Sequence, residues 1–428
     1  MESKSETAQR DDREQLADPI DELMVAAYRT VVPGAAFDST EHGARAAAHE
    51  TTAAPELQAT EPGLEQLKRQ YQALISSDGA APVAGYWLRQ RLGQGGQGIV
   101  FAAQCGGADG YCNNVLAVKL FSPHRYPSVE SYEKDMRRIA QVASIVAGID
   151  QGNVLSVQRF DECRGIRMMV MKRILGYDLQ ELMRPAMLEC VKHRDHELWE
   201  ELNKVVAVPG PHQTRFRPGA AVALIRPCLR ALDQLHSQGV VHGDVKPANL
   251  MISPEGEVKL VDTGSAFEWQ RSPRSYFCTP RYAALEVLES GKCTPRSDLA
   301  SLGYVLVELL TGRSVFATQQ PKGPREICMP QEASTGIKPP DDPELANEKR
   351  RLPSELGRLL HSYSPRLVQL CRRLIDPAPE NRFASAYDAE LFAYRYIQEL
   401  EQAELSCHFD NEFRLWLKAI RAAPESVV

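Results

Sequence analysis

The sequence predicts an α+β fold in two lobes, a small β-rich lobe followed by a larger α-helical one. Three observations carry this. Short β-type runs separated by glycine follow one another from Tyr86 to Lys172. Beyond about Gly176 the apolar spacing turns helical, with Val222, Ile225, Leu229, Leu232 and Leu235 on one stripe. The 428 residues also exceed what one hydrophobic core usually organises. A β-rich half joined to a helical half leaves a cleft between them.

Residues 1–84 are rich in Ala, Glu, Thr, Ser and Gln and poor in aromatics, which predicts a largely disordered arm with short helices. Ile20, Leu23, Met24, Ala27, Tyr28 and Val31 keep helical spacing, as do Leu64, Leu67, Tyr71, Leu74 and Ile75. Such islands either pack on the chain's own folded part or serve partner docking or autoregulation. The first lobe is expected over about 85–175, with strands Tyr86–Leu92, Gly98–Gln104, Val115–Leu120, Val154–Phe160 and Ile166–Lys172, and a helix over Ser131–Val146. The second is expected over about 176–398, followed by a helical extension over 399–428. Residues 184–218 and 322–353 read as surface inserts, the first for its prolines and histidines, the second for its Pro, Glu and Lys.

Composition excludes several classes. A net charge of −6 makes no electrostatic case for nucleic acid, so phosphate binding has to come from a local site. The cysteines lack CxxC spacing, which argues against a zinc ribbon or a disulfide framework and for a reducing compartment. No apolar leader opens the sequence and no stretch reaches about 18 apolar residues, so a soluble cytoplasmic protein without membrane partners is expected.

The chemistry sits in three places. Gly93, Gly95 and Gly98, with Val100, form GxGxxGxV between two predicted strands; without β-carbons the backbone can fold over a polyphosphate and aim N–H groups at it. A glycine-rich hairpin turn would look the same, whereas a Rossmann site would need a helix after the glycines. Lys119 ends Leu116-Ala-Val-Lys, a strand that would turn its ammonium into the cleft to neutralise phosphates; the bland alternative is a solvated strand-end lysine. Its carboxylate partner is expected on the next helix, with Glu133 as first choice and Asp135 as second. In Val240-Val-His-Gly-Asp-Val-Lys-Pro-Ala-Asn-Leu-Met-Ile252, Asp244 would accept the proton of an attacking hydroxyl. Lys246 would steady the transferred phosphate and Asn249 would hold a metal. Asp262, after an apolar strand, adds a second hard ligand. His242 reads as structural beneath this loop.

These motifs, in this order, resemble the eukaryotic-type (Hanks-type) protein kinase family from about Tyr86 to Ala386. The segment at 242–249 is similar to HRDxKxxN, Asp262-Thr-Gly264 to DFG, and Cys278-Thr-Pro-Arg-Tyr-Ala-Ala-Leu-Glu286 to GTPxYxAPE. The resemblance implies the bilobal protein kinase-like fold, ATP and Mg2+, and a serine or threonine acceptor on a protein. It places Met171 at the gatekeeper, Lys172 and Ile174 at the adenine-binding hinge, and Arg382 opposite Glu286. Gly243 replaces the arginine of HRD, Thr263 the phenylalanine of DFG, and Leu285 the proline of APE. The first change argues against control by phosphorylation at Ser272 or Ser275. Two rivals remain: a small-molecule phosphotransferase of the aminoglycoside or choline type, and a nucleotide-binding pseudokinase. Lys246 and the segment at Thr279 argue against the first, and the retained lysine, base and metal ligands against the second.

Overall fold

The computed structural model describes residues 62–76, 82–105, 115–271, 273, 275–316, 325–328, 342–403 and 409–421. Alternation along the strands of the first lobe gives one antiparallel sheet with two apolar faces. Its strands are β1 (Tyr86–Gly95), β2 (Gly98–Cys105), β3 (Val115–Phe121), β4 (Val157–Cys163) and β5 (Ile166–Lys172), in the spatial order β1-β2-β3-β5-β4. Leu116, Val118 and Leu120 of β3 share the outer face with Ile166, Met168 and Val170 of β5. Helix α1 (Pro62–Ile75) covers that face with Tyr71 and Leu74. The second island of the expected arm therefore packs on the chain's own sheet, while the island at Ile20–Val31 lies outside the described residues. On the inner side Met169 packs with Met136 and Ile139 of α2 (Val129–Ala147), whose start is fixed by a Ser128–Ser131 capping box. Val154 makes only a bridge to Leu260, and β4 begins three residues later than its composition suggests.

Nine helices among the described residues make most of the second lobe: α3 (Pro185–Arg194), α4 (His196–Val205), α5 (Pro218–Ser237), α6 (Leu285–Ser290), α7 (Pro295–Thr311), α8 (Pro343–Leu359), α9 (Pro365–Leu374), α10 (Ala386–Gln402) and α11 (Phe409–Arg421). The stripe Val222, Ile225, Leu229, Leu232 and Leu235 of α5 is wholly buried, as is almost all of α7, which forms the lobe's axis.

The first expected insert, and the described parts of the second, turn out differently; residues 322–324 and 329–341 lie outside the described residues. Residues 184–218 contain α3, α4 and a short ladder of Ala207–Val208 with Arg215–Phe216. Met187, Leu188, Cys190, Val191 and Leu202 bury there because α11 closes over them: Trp416 donates its indole N–H to the Met187 carbonyl at 3.0 Å. The C-terminal stretch is thus part of this lobe's core, and the boundary expected at residue 398 falls inside α10. In the second insert, Arg325–Cys328 pairs antiparallel with Ser275–Cys278, and residues 343–353 open α8. Leu345, Ala346, Leu352 and Leu356 are its buried stripe, which the surrounding charges and Pro353 obscure in the sequence.

One buried acid carries a pH signature. Glu181, in the single helical turn Leu179–Leu182, is 3% exposed and its Oε1 has no hydrogen-bond partner among the described residues. Burial, and then the nearby Asp178 carboxylate, push its pKa up to about 8 against the pull of Arg184. The folded state therefore holds a proton that the unfolded chain releases near pH 4.3, so stability falls as pH rises between about 4.3 and 8. Glu181→Gln is expected to match the wild-type Tm near pH 5 and to exceed it at pH 8.5. A constant difference across that range in thermal scans would exclude this role.

Candidate active site

β1 and β2 meet with Gly95 opposite Gly98, so the predicted glycine turn is a tight hairpin. Gly98 has φ +147°, and a Cβ there would lie 1.9 Å from the Leu120 carbonyl oxygen, so only glycine lets the hairpin lie against β3. Beneath it a cavity of about 190 Å³ opens between the lobes. Gly93, Val100 and Lys119 line its roof, Lys172 and Ile174 its back, and Asn249 and Asp262 its far side. Met171, the expected gatekeeper, lies beside the hinge residues.

The loop opposite is pinned at both ends. Val240–Val241 pairs with Phe267–Glu268, and Leu250–Ile252 pairs with Val258–Leu260. From below, Asp298 of α7 accepts from the backbone N–H groups of His242 and Gly243, both at 2.9 Å. Fully buried His242 has Nδ1 3.3 Å from the Asp244 N–H and Nε2 3.0 Å from the Val261 carbonyl. That assigns the ring proton to Nε2 and gives His242 the structural place expected of it. Gly243 has φ +74° with the Ser265 carbonyl 3.3 Å from where a Cβ would stand. Any larger side chain here, an arginine included, would be strained.

The Asp244 carboxylate is held at both oxygens. Oδ1 accepts from the Thr279 N–H at 2.8 Å, and Oδ2 accepts from Lys246 Nζ at 2.7 Å. Lys246 also donates to Thr279 Oγ1 at 3.0 Å, so one lysine ties the loop to the segment ending at Glu286. Asn249 donates to the Asp244 carbonyl at 2.8 Å, which leaves its carbonyl oxygen for a cation.

Asp262 occupies a left-handed backbone conformation at φ +60° and pairs with Lys119 at 2.5 Å. Burial would raise its pKa, but the Lys119 ammonium, its hydrogen bond and Lys246 outweigh that and hold the carboxyl down at about 2. It is therefore a permanent anion across any working pH. Lys119 has a second partner that sequence reading missed. Gln97, at the tip of the glycine hairpin, accepts from Lys119 through Oε1 at 2.7 Å and donates to Ser265 Oγ at 2.9 Å.

The structure does not bring either expected carboxylate to Lys119. Glu133 pairs with Arg167 at 2.8 Å, and Asp135 pairs with Arg138 and accepts from the Tyr126 hydroxyl. Instead α2 reaches the cleft through Arg138, which donates to the carbonyls of Gly264 and Ala266. Helix spacing could not reveal this, because the rotation of α2 and the competition of Arg167 for Glu133 are set by tertiary packing.

The model of the protein kinase domain family matches residues 86–396. A protein named a probable serine/threonine-protein kinase of Corynebacterium efficiens is 31% identical over 250 residues, 55% of this chain and 32% of that one. The serine/threonine-protein kinase PknJ of Mycobacterium tuberculosis is 30% identical over 244 residues, 55% of this chain and 35% of its own length. The chain thus spans about a third of the length of these relatives. A crystal structure of the Mycobacterium tuberculosis PknI kinase domain, in mutant form, superposes with a TM-score of 0.47 at 20% identity, covering 74% of this chain and 97% of that one. Among the described residues no helix is long and apolar enough to cross a membrane.

Proposed function

The chain belongs to the protein kinase family, and from that premise we propose that it transfers the γ-phosphate of ATP to serine or threonine hydroxyls of proteins. The observation that carries the proposal is convergence. Lys119, Asn249 and Asp262, drawn from both lobes, line one cavity beneath a glycine hairpin, and Asn249 ties that cavity to the backbone of Asp244, whose carboxylate holds Lys246. Asp244 is the proton acceptor and Lys246 steadies the phosphate as it passes to the hydroxyl. Gly93, Gly95 and Gly98 cover the phosphates, and the backbones of Lys172 and Ile174 receive the adenine. Asn249 and Asp262 offer hard oxygens that fit magnesium, which when bound neutralises phosphate charge. The Lys246–Thr279 bond favours a protein acceptor over a small molecule, because it couples the base to the segment from Cys278 to Glu286, outside the nucleotide cavity.

Purified chain incubated with labelled ATP, magnesium and myelin basic protein should label serine or threonine. Absence of transfer to any protein, itself included, would overturn the reading. Because Lys119 is oriented by Asp262 and Gln97, Glu133→Gln should leave turnover within about fivefold, the scale of a half-exposed ion pair. A hundredfold loss in steady-state assays would restore Glu133 to the site.

A further inference from the structure

Helix α8 carries a lysine where its pattern calls for an apolar residue. Lys349 lies on the stripe of Leu345, Leu352 and Leu356 and is 1% exposed. Its Nζ stands 3.9 Å from the ring centroid of Tyr304 and 4.1 Å from that of Phe316, and it donates to the Arg281 carbonyl at 2.7 Å. Burial drives its pKa well below the usual lysine value, while Cys278, Glu286 and Glu308 pull the other way. A buried amine costs stability that an apolar side chain of the same length would not, and the two rings with the Glu286 and Glu308 carboxylates offset only part of that cost.

The carbonyl it holds explains it better. Arg281 lies two residues after Thr279, whose N–H and hydroxyl meet Asp244 and Lys246. On the far side the Tyr282 hydroxyl donates to Glu308 at 2.8 Å, and Arg281 lies 3.4 Å from the same carboxylate. The segment is therefore tied to the base at one end and to α7 at the other, with Lys349 fixing the backbone between.

We infer that Lys349 is a positioning residue for the protein substrate: its Nζ donor holds the backbone at Arg281 so that the stretch from Thr279 to Tyr282 keeps the shape that receives the acceptor hydroxyl. This rests on the phosphotransfer reading above. Lys349 does not line the nucleotide cavity, so its effect is expected on the acceptor side rather than on ATP binding.

Lys349→Met tests it, because methionine keeps the alkyl stem between the two rings and removes only the donor. The expected result is an unchanged or higher Tm, a KM for myelin basic protein raised about 10-fold, and a KM for ATP within about twofold. Amides of residues 279, 281, 282 and 283 should also exchange faster with deuterium than in the wild type. An unchanged KM for the protein substrate would overturn the inference. So would a variant that fails to fold, or one that loses Tm and raises both KM values together, since either makes Lys349 a packing residue. If the wild-type chain transfers no phosphate, the phosphotransfer reading fails first. Unaltered exchange at 279–283 would then still refute the strap at Arg281.

Discussion

Replacing Asp244 by asparagine is expected to lower turnover by about 10²–10⁴-fold while affinity for magnesium-bound ATP stays within about threefold of wild type. The asparagine amide can still turn its oxygen to the Thr279 N–H, now 2.8 Å from Oδ1. Its NH2 then faces Lys246, which has lost the acceptor it holds at 2.7 Å. The loop itself should persist, because Asp298 and the His242 ring support it from below. On the proposed reading, what disappears is the oxygen that takes the acceptor's proton, an effect on kcat rather than on nucleotide binding. Steady-state kinetics with parallel titration calorimetry of ATP separate the two. Turnover near wild type would show that Asp244 is not the base, and a matching loss of ATP affinity would show a collapsed site.

How much of this site can be read along the chain depends on how local each part is. Asp244, Lys246 and Asn249 are legible because their loop runs between two short ladders a few residues apart, so spacing alone nearly determines geometry. The glycine hairpin is legible for the same reason: Gly95 and Gly98 face each other across a single turn. The orientation of Lys119 is not local. It depends on Gln97 from the hairpin tip and on Asp262 from the other lobe, 143 positions away. No pattern along α2 signals that Glu133 is already engaged by Arg167 of β5. The same holds for the fold. The apolar stripe of α5 announces itself, whereas α8 conceals a buried face among charges and places a lysine within it. The helices at 185–205 look like surface because their partner is α11, whose Trp416 lies 229 positions beyond Met187.

Arg382→Met is expected to destabilise the fold by about 3–4 kcal/mol, a Tm loss on the order of 10 °C, without altering the KM for ATP. Arg382 binds both oxygens of Glu286 at 2.7 and 2.8 Å, and it also donates to the carbonyls of Asp376 and Arg296. Its side chain is wholly buried, while that of Glu286 keeps 14% exposure, which sets the figure at the lower end of the range for a broken buried pair. Without the guanidinium, Glu286 keeps, among the described residues, the hydrogen bond from the Ser297 hydroxyl at 2.7 Å and loses its bidentate charge partner. The uncompensated charge, rather than the lost attraction, carries most of the cost. The double variant Arg382→Met with Glu286→Leu should therefore recover part of the stability that the single change removes. Equilibrium denaturation of the four proteins in this cycle decides the matter. If the single change costs less than about 1 kcal/mol, or the double change costs the sum of both, the pair is not what joins α6 to the loop before α10.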